Sequence, residues 1–499
     1  MMGMTPEQFR RAVGMWGLAM CLLASAAGWV FLRFGQAWSI ADLPISDMVD
    51  FIVPAYAVTE VAMIPVGGKL MDKYGCRSIL AVAPFIFIIS SMLCMVSVSV
   101  TMLVILRIAQ GVGAGLILAL AFASVGKYYD SDKRGKCNEL MTGAFAIGSL
   151  FSSAAGYFLS ENINWRVGFI ALSVLMLIGF LLAWRFLPKD EGAGAKIDVV
   201  NLVITAAAFG VVTFYLQMVN EVFEIESTPS LIIGAISVLL ISLMFITSYK
   251  SENPSIPVRI SNFEKLLFVL MFVFSVCGLG LIQYFFRLYL VFYDFDIYKA
   301  SFMFLFLLIG GACTSTVGLR FVYRTGCRPW VVFGSIVVTI ALIVTHFYAD
   351  QGIEYFAMSL FLFGLGLGSI VTEIICSIQT VVRKEDMGLH VGSLMAMRMV
   401  AILTGNVIIG SYINEVIRGA MPPTVIDISA TDDILKTLGD FVSDSLHYLT
   451  VSMDDGFLTT AIILSMITAG LAIVSHFIRK DDVIEMQRLK AEEEAAEEQ

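Results

Sequence analysis

Long apolar runs alternate with short polar segments from one end of the chain to the other. Each run is about 20 residues long, the length that an α-helix needs to cross the hydrocarbon core of a bilayer. Fourteen runs meet this requirement, and we number them as predicted spans one to fourteen. They cover residues 12–32, 48–70, 79–98, 101–125, 138–159, 167–187, 200–219, 229–249, 265–290, 299–319, 329–348, 354–378, 388–414 and 456–478. The pattern predicts an all-α polytopic membrane protein.

Composition and charge add an orientation to this picture. With 58% hydrophobic and 15% charged residues, the chain departs strongly from an average soluble protein. An even number of spans places both termini on one side, and 24 of the 32 Lys and Arg residues lie in or next to the termini and loops of that side. Because Lys and Arg accumulate in cytoplasmic loops, we expect both termini in the cytoplasm and the protein in the cell (inner) membrane. The eight cysteines lie in spans or in predicted cytoplasmic loops, so no disulfide framework is expected.

A charged, glycine-containing turn at 67–77 separates spans two and three, and the chain repeats it. Residues 318–328 align with this turn without gaps at an offset of 251 residues. The glycines of 111–115 have counterparts in 364–368 at an offset of 253. A fixed offset at two places indicates a duplicated unit, and parallel repeats of this kind build the two halves of some transporters.

The positions of the two turns predict the domain organisation. The first follows span two and the second follows span ten, a shift of eight spans instead of the six of a simple six-plus-six transporter. Spans seven and eight are therefore predicted to be an inserted helix pair. We expect a six-helix half at 1–190, the inserted pair at 191–260, a second half at 261–480 with an extracytoplasmic loop at 415–455, and an acidic cytoplasmic tail at 481–499.

The turn carries the pattern Gly68-x-Leu70-x-Asp72-x-x-Gly75-x-Arg77, which resembles the signature loop of the major facilitator superfamily. With fourteen spans and Asn164-Trp-Arg entering span six, the chain resembles the fourteen-span drug:proton antiporter family. The resemblance implies two six-helix halves and secondary transport by alternating access. It also implies a conformational latch, in which the acidic residue of the loop meets a helix terminus of the other half. The latch candidates are Gly68, Asp72, Gly75, Arg77, Asp130 and Arg134.

Ionisable residues within spans are costly and rare, so each is a functional candidate. Glu60 lies near the middle of span two, where desolvation favours the neutral carboxyl and allows proton exchange. We predict that it carries protons; the alternative is a permanently paired or protonated structural residue. Arg107 begins an Arg-x-x-x-Gly sequence that resembles a family motif implicated in proton coupling. Its guanidinium keeps its proton, so it can hold a carboxylate ionised, bind an anion, or simply tie helices together.

Four further polar residues are candidates for contact with a substrate in a central cavity. They are Gln110, Arg287, Glu373 and Arg398. Glu373 and Arg398 can alternatively form a buried ion pair that fixes two helices, and Arg287 can extend to the membrane interface.

In span five, the small residues Gly148, Ser152 and Gly156 recur at intervals of four and predict close helix packing. They lie where the family's antiporter motif is expected, but the Pro of that motif is absent, as is the acidic span-one string of fourteen-span antiporters.

Together these features predict proton-coupled export of amphiphilic drugs or other small molecules, driven by the proton gradient without a cofactor. A dedicated carrier of one metabolite or organic anion is the alternative, and a non-transporting membrane sensor or enzyme is a further one. The sequence has no phosphate-binding loop and no cluster with metal-ligand spacing, so we expect neither catalysis nor a metal site. The expected partners are a small-molecule substrate and the lipid bilayer, without nucleic acid; a periplasmic or outer-membrane export partner is left open.

Overall fold

The computed structural model describes residues 6–44, 46–190, 192–194, 196–219, 222–282, 299, 302–314, 328–348 and 352–420. Within these ranges the protein is a bundle of α-helices. In chain order they are α1 (Pro6–Asp42), α2 (Ile52–Tyr74), α3 (Cys76–Met95), α4 (Val100–Tyr128), α5 (Ser131–Asn162), α6 (Trp165–Phe186), α7 (Val199–Met218), α8 (Thr228–Lys250), α9 (Asn262–Cys277), α10 (Phe302–Thr314), α11 (Arg328–Tyr348), α12 (Ile353–Val381) and α13 (Met387–Ala420).

Twelve helices in the described part of the chain are long and apolar enough to cross a membrane, and α10 is a shorter apolar helix. These thirteen helices together, α1 to α13, correspond one to one with predicted spans one to thirteen, which confirms the all-α polytopic fold. Predicted span fourteen, the tail at 481–499 and nearly all of the loop at 415–455 lie outside the described residues. The second copy of the turn, at 318–328, also lies outside them except for its last residue.

Polar residues at the helix ends explain where several helices begin. The Ser99 hydroxyl accepts a hydrogen bond from the Met102 N–H at the start of α4, and Ser261 with Glu264 forms a capping box at the start of α9. Such caps satisfy backbone donors that have no partner within the helix. Between α2 and α3 the turn is made by Gly75 alone, with a φ of +84°. Residues with a Cβ rarely adopt this conformation, so the glycine allows α3 to begin directly after α2.

The two halves repeat the same helix crossings at equivalent residues. A Cβ at Gly111 of α4 would collide with the Tyr56 carbonyl oxygen of α2, and one at Gly364 of α12 would collide with the Leu307 carbonyl oxygen of α10. Gly115 contacts α2 in the same way as Gly368 contacts α10. Gly113 contacts α3 in the same way as Gly366 contacts α11. The glycine offset found in the sequence thus corresponds to a repeated three-helix packing in space.

In the first half, α1 packs against α5 and α6, α2 against α4, and α3 against α4 and α6. Gly148 and Gly156 of α5 lie directly against the backbone of α1, at the carbonyl oxygens of Leu23 and Phe31. Ser152 between them is buried, so the small-residue face of α5 forms its contact with α1.

The Asn164-Trp-Arg sequence joins three helices at the end of the bundle away from the Gly75 turn. Asn164 caps α6 by accepting a hydrogen bond from the Arg166 N–H. The Asp42 carboxylate at the end of α1 accepts hydrogen bonds from the Trp165 indole and the Arg166 guanidinium. Arg166 also donates to the Ser97 carbonyl oxygen beyond α3. These bonds tie α1, α3 and α6 together.

Helices α7 and α8 form a hairpin that packs through α7 against both α2 and α13. Asn201 holds one end of the hairpin, because its side-chain amide donates to Ser248 and accepts from the Ser255 N–H at 2.7 Å. Asp198 accepts hydrogen bonds from the Asn201 N–H and the Ser251 hydroxyl. These two bonds lower the pKa of the Asp198 carboxyl below its ordinary value.

Candidate functional site

Glu60 lies inside the first half, where α1, α2 and α4 meet. Its side chain is fully buried. One carboxyl oxygen, Oε1, accepts a hydrogen bond from the Ser25 hydroxyl of α1 at 3.1 Å, and Oε2 is buried without a hydrogen-bond partner. The close approach of α4 at Gly115, against the Glu60 carbonyl oxygen, closes this space from the other side. A proton added to Oε2 would break no existing hydrogen bond.

Arg107 of α4 forms a second polar centre nearby. Its Nη1 donates to the Gly28 carbonyl oxygen at 2.9 Å and to the Gln110 side chain at 2.7 Å. Gln110 in turn donates to the Ser91 hydroxyl of α3 at 2.6 Å. The guanidinium carbon lies 4.3 Å from the centroid of the Tyr56 ring, and Nη2 is buried without a partner. Arg107 therefore links α1, α2, α3 and α4.

Glu60 and Arg107 are joined indirectly. They form no ion pair in the described part of the structure, so any influence of Arg107 on the Glu60 carboxyl acts in this conformation without direct contact. Instead, Tyr56 contacts the guanidinium with its ring and donates its hydroxyl proton to the Ser25 carbonyl oxygen at 2.6 Å. The Ser25 hydroxyl completes the path to Glu60. We call this group, consisting of Ser25, Tyr56, Glu60, Arg107 and Gln110, the polar cluster.

The second half lacks the polar cluster. At the offset of the repeat, Leu307 and Gly311 occupy the positions of Tyr56 and Glu60, and Leu360 and Phe363 those of Arg107 and Gln110. The backbone crossings are nevertheless the same, as the glycine contacts demonstrate. The polar side chains are therefore not required to pack this arrangement of helices.

Glu373 of α12 and Arg398 of α13 are the ionisable candidates in the second half. Glu373 is fully buried, and neither carboxyl oxygen has a hydrogen-bond partner. The Arg398 guanidinium carbon lies 5.9 Å from the centroid of the Phe145 ring of α5, and its Nε is buried and unpartnered. The two side chains form no ion pair within the described residues, so the predicted packing role of such a pair is not seen in this conformation. Through Phe145, Arg398 of the second half contacts the first half.

The turn between α2 and α3 lies at one end of the bundle, which we call the motif end. Here the Asp72 carboxylate accepts hydrogen bonds from the backbone N–H groups of Gly388 and Leu389, at 2.8 Å and 2.7 Å. These donors belong to the first turn of α13, where a carboxylate is also attracted by the helix dipole. Lys127 lies 3.7 Å from the same carboxylate. A Cβ at Gly68 would collide with the Gly388 carbonyl oxygen, so the two glycines let α2 and α13 touch.

A second contact between the halves lies beside the first. Arg134 of α5 donates to the Gln379 carbonyl oxygen of α12. Asn138, one turn further along α5, donates to the Gln379 side chain at 2.7 Å and to Cys376 Sγ at 3.2 Å. Gln379 also donates to the Phe122 carbonyl oxygen of α4. The motif ends of the two halves are therefore in direct contact, and this end of the bundle is closed.

The remaining latch candidates lie away from the contact between the halves. Arg77 packs on the Trp184 ring and approaches the Leu187 carbonyl oxygen within the first half. Asp130 is exposed and pairs with Lys133. Gly75 provides the turn, as described above.

The structure also identifies Asp190, which the sequence did not single out. Its carboxylate accepts hydrogen bonds from the N–H groups of Cys76 and Arg77 and from the Tyr128 hydroxyl, and so caps α3. Asn138 and Gln379 were missed as well. The signal that was available for both was a large amide side chain in an otherwise apolar span. Arg287, another of the four cavity candidates, lies outside the described residues. Gln110 is hydrogen-bonded within the polar cluster, to Arg107, and to Ser91.

A family model described as Major Facilitator Superfamily matches residues 18–406. The chain belongs to this superfamily. Its relatives are mostly multidrug transporters. One is the multidrug transporter protein MdtP of Bacillus subtilis, 22% identical over 82% of this chain and 76% of MdtP. Another is the riboflavin transporter RibZ of Clostridioides difficile, 26% identical over 43% of this chain and 46% of RibZ.

Solved structures support the fold. The human organic anion transporter MFSD10 superposes with a TM-score of 0.62 at 14% identity, covering 94% of this chain and all of that one. Members of the Major Facilitator Superfamily are transporters, so this chain is a membrane transporter of a small molecule. Transporters built from two halves expose a central site alternately to the two sides of the membrane. In that cycle the present structure is a state in which the motif end is closed.

Proposed function

We propose that this transporter exports amphiphilic small molecules in exchange for protons, with Glu60 as the proton carrier. The observation that carries the proposal is the geometry of Glu60: a fully buried carboxyl group with one hydrogen bond and one vacant oxygen. The equivalent helices of the second half pack in the same way without a carboxyl group at this position. A group that packing does not require, in a place where ionisation is costly, is suited to a cycle of proton binding and release.

Arg107 couples the charge of Glu60 to the position of the helices. With Glu60 protonated, the polar cluster is neutral apart from the guanidinium, and the close packing of α1, α2 and α4 is favoured. Loss of the proton leaves a carboxylate with a single hydrogen bond, from Ser25, so further stabilisation of its charge requires water or a closer approach of Arg107. Either change requires α1 or α4 to move relative to α2. The proton gradient is the proposed driving force.

The contacts at the motif end form the proposed latch for the opposite phase of the cycle. Asp72 and the Gly68–Gly388 crossing hold α2 to α13, and Arg134 with Asn138 holds α5 to α12. All of them must break when this end opens. We assign the motif end to the cytoplasm because Lys and Arg are concentrated there. Both termini would then be cytoplasmic in the inner membrane; a periplasmic or outer-membrane export partner stays a prediction.

Glu373 is the proposed recognition group for the substrate. Burial without a hydrogen-bond partner disfavours the charged form of Glu373, so its carboxylate would be stabilised when an amphiphilic cation lies beside it. The multidrug relatives, including MdtP, are consistent with this class. The alternative is a dedicated carrier of an organic anion. Two observations favour it: the guanidinium of Arg398, and the presence of the riboflavin transporter RibZ among the relatives. Family membership and fold point to a transporter in both cases, not to an enzyme.

The test is dissipation of a pH gradient in energised inverted vesicles that contain the protein. Lipophilic cations should dissipate the gradient with the wild type. Glu60→Gln, which keeps the shape and the contact with Ser25 but cannot carry a proton, should abolish dissipation while cation binding persists. Glu373→Gln is the matched variant: it should weaken cation binding, and exchange should return at a saturating cation concentration.

Two results would contradict the proposal. Wild-type dissipation by Glu60→Gln would exclude Glu60 as the carrier. Dissipation by organic anions alone, lost in Arg398→Gln, would establish the anion carrier instead.

A further inference from the structure

A recess of about 660 Å³ opens at the motif end, outside the contacts between the halves. It lies between the start of α1, the start of α3 and the end of α6. Half of the side chains that line it are cationic: Arg10, Arg11, Arg77, Arg185 and Lys189. The other lining residues are Glu7, Trp184, Phe186, Leu187 and Pro188. No residue of the polar cluster lines this recess, and of the latch candidates only Arg77 does.

Among the described residues that line the recess, acidic groups do not balance the positive charge. Glu7 is the one acidic residue among those that line it, and it is bonded to Arg11 at 2.6 Å. Asp190 follows Lys189, but its carboxylate is occupied by two backbone N–H groups of α3 and the Tyr128 hydroxyl. Five cationic side chains thus converge on a concave surface that holds one carboxylate. Such an arrangement favours an anionic ligand from outside the chain.

Exposed aromatic side chains locate the recess at the level of the lipid headgroups. Trp184 lies in its wall with the Arg77 guanidinium 4.3 Å from its ring centroid. On α1, Phe9 is 47% exposed beside Arg10, and Trp16 is 59% exposed further along the helix. Trp is enriched where the hydrocarbon core meets the headgroups. The six residues from Arg10 to Trp16 correspond to about 9 Å along an α-helix, so Trp16 would lie where the hydrocarbon core begins when Arg10 lies at the headgroups.

We propose that this recess binds the phosphate of an anionic lipid headgroup from the leaflet on the motif side. Guanidinium groups bind phosphate oxygens through paired N–H donors, and basic pockets between transmembrane helices are suited to anionic headgroups. The lipid chains would lie along the exposed face of α1 that carries Trp16. The bound headgroup would hold the start of α1 to the end of α6.

The test measures lipid binding to the purified full-length protein by native mass spectrometry, with phosphatidylglycerol and phosphatidylcholine as probes. The variant Arg10→Gln, Arg185→Gln, Lys189→Gln removes three charges from the recess and leaves Arg77 in place. Its matched control is Lys250→Gln, Arg259→Gln, Lys265→Gln, which removes three charges from the same end of the bundle outside the recess. A third arm titrates inorganic phosphate against the bound lipid.

The wild type should bind phosphatidylglycerol and not phosphatidylcholine. Each removed charge should weaken binding about fivefold and the triple variant about a hundredfold, with the control unchanged. If the triple variant does not fold, Arg10→Gln and Arg185→Gln alone should each show the fivefold loss. Binding of phosphatidylglycerol by the recess variants as tight as in the wild type would overturn the proposal. Displacement of the lipid by an equal concentration of inorganic phosphate would overturn the lipid assignment in favour of a free anion.

Discussion

Asp72→Asn is the perturbation that most directly tests the closed motif end. The wild-type carboxylate, 2% exposed, accepts hydrogen bonds from two N–H groups at the start of α13. Asparagine has nearly the same shape but one acceptor oxygen and no charge. One of the two N–H groups would then face the side-chain NH₂ group, and the attraction to the helix terminus would be lost. The substitution should therefore favour opening of the motif end.

The size of the effect follows from these contacts. A hydrogen bond to a charged group contributes about 1.5–3 kcal/mol, and a carboxylate at a partly buried helix N-terminus contributes up to about 2 kcal/mol. Part of this is offset because burial of the carboxylate itself is costly. A net loss of about 2–3 kcal/mol corresponds to a 30- to 150-fold larger population of the open state. We expect turnover to slow more than substrate binding weakens, because the latch does not contact the substrate.

Cys376 provides a native reporter for the assay. It is 1% exposed, and its sulfur lies 3.2 Å from Asn138 Nδ2 within the closed contact. In a variant whose other cysteines are replaced by alanine, a maleimide can reach Cys376 only after this end opens. The labelling rate is then proportional to the open population. Asp72→Asn should raise the rate about 30- to 150-fold.

Asp130→Asn is the matched control, because Asp130 is an exposed carboxylate at the same end whose ion pair with Lys133 spans 3.8 Å. Exposed pairs contribute about 0–1 kcal/mol, so labelling of Cys376 should change little. Equal labelling rates in folded Asp72→Asn and wild-type protein would refute the reasoning. It would mean that the bond to α13 does not limit opening.

Two further substitutions test the packing. Gly388→Ala places a Cβ against the Gly68 carbonyl oxygen, a clash of about 1–3 kcal/mol that exists only while α2 and α13 touch. This substitution should therefore also accelerate the labelling of Cys376. Gly143→Ala is the control and should leave the labelling rate unchanged, because its Cβ would meet nothing within 4 Å. Asn201→Ala leaves the buried Ser255 N–H without its acceptor and should lower the free energy of unfolding by about 1–3 kcal/mol. A thermal unfolding midpoint in detergent equal to that of the wild type would contradict the role of Asn201 in the α7–α8 hairpin.

The sequence by itself determined the number and order of the described helices and the duplication. Both depend on local or periodic signals: an apolar run long enough to span a bilayer, and glycines that recur at a fixed offset. The repeat also predicted equivalent helix contacts, because Gly111 lies at the crossing of α2 with α4 and Gly364 at the equivalent crossing of α10 with α12. Glu60 and Asp72 stood out for a related reason, since a carboxylate in or beside an apolar span is conspicuous.

Only the tertiary structure decided which side chains meet. In a membrane helix all faces are apolar, so hydrophobic periodicity does not identify the neighbouring helix. Asp72 lies 316 residues from Gly388, and their contact depends on how closely two glycines let α2 and α13 approach. Ser25 and Tyr56 became part of the polar cluster only because α1 crosses α2 beside Glu60. Asp130 illustrates the converse: its charge and position matched the latch, but its side chain points to solvent because the inward face of α5 begins at Arg134.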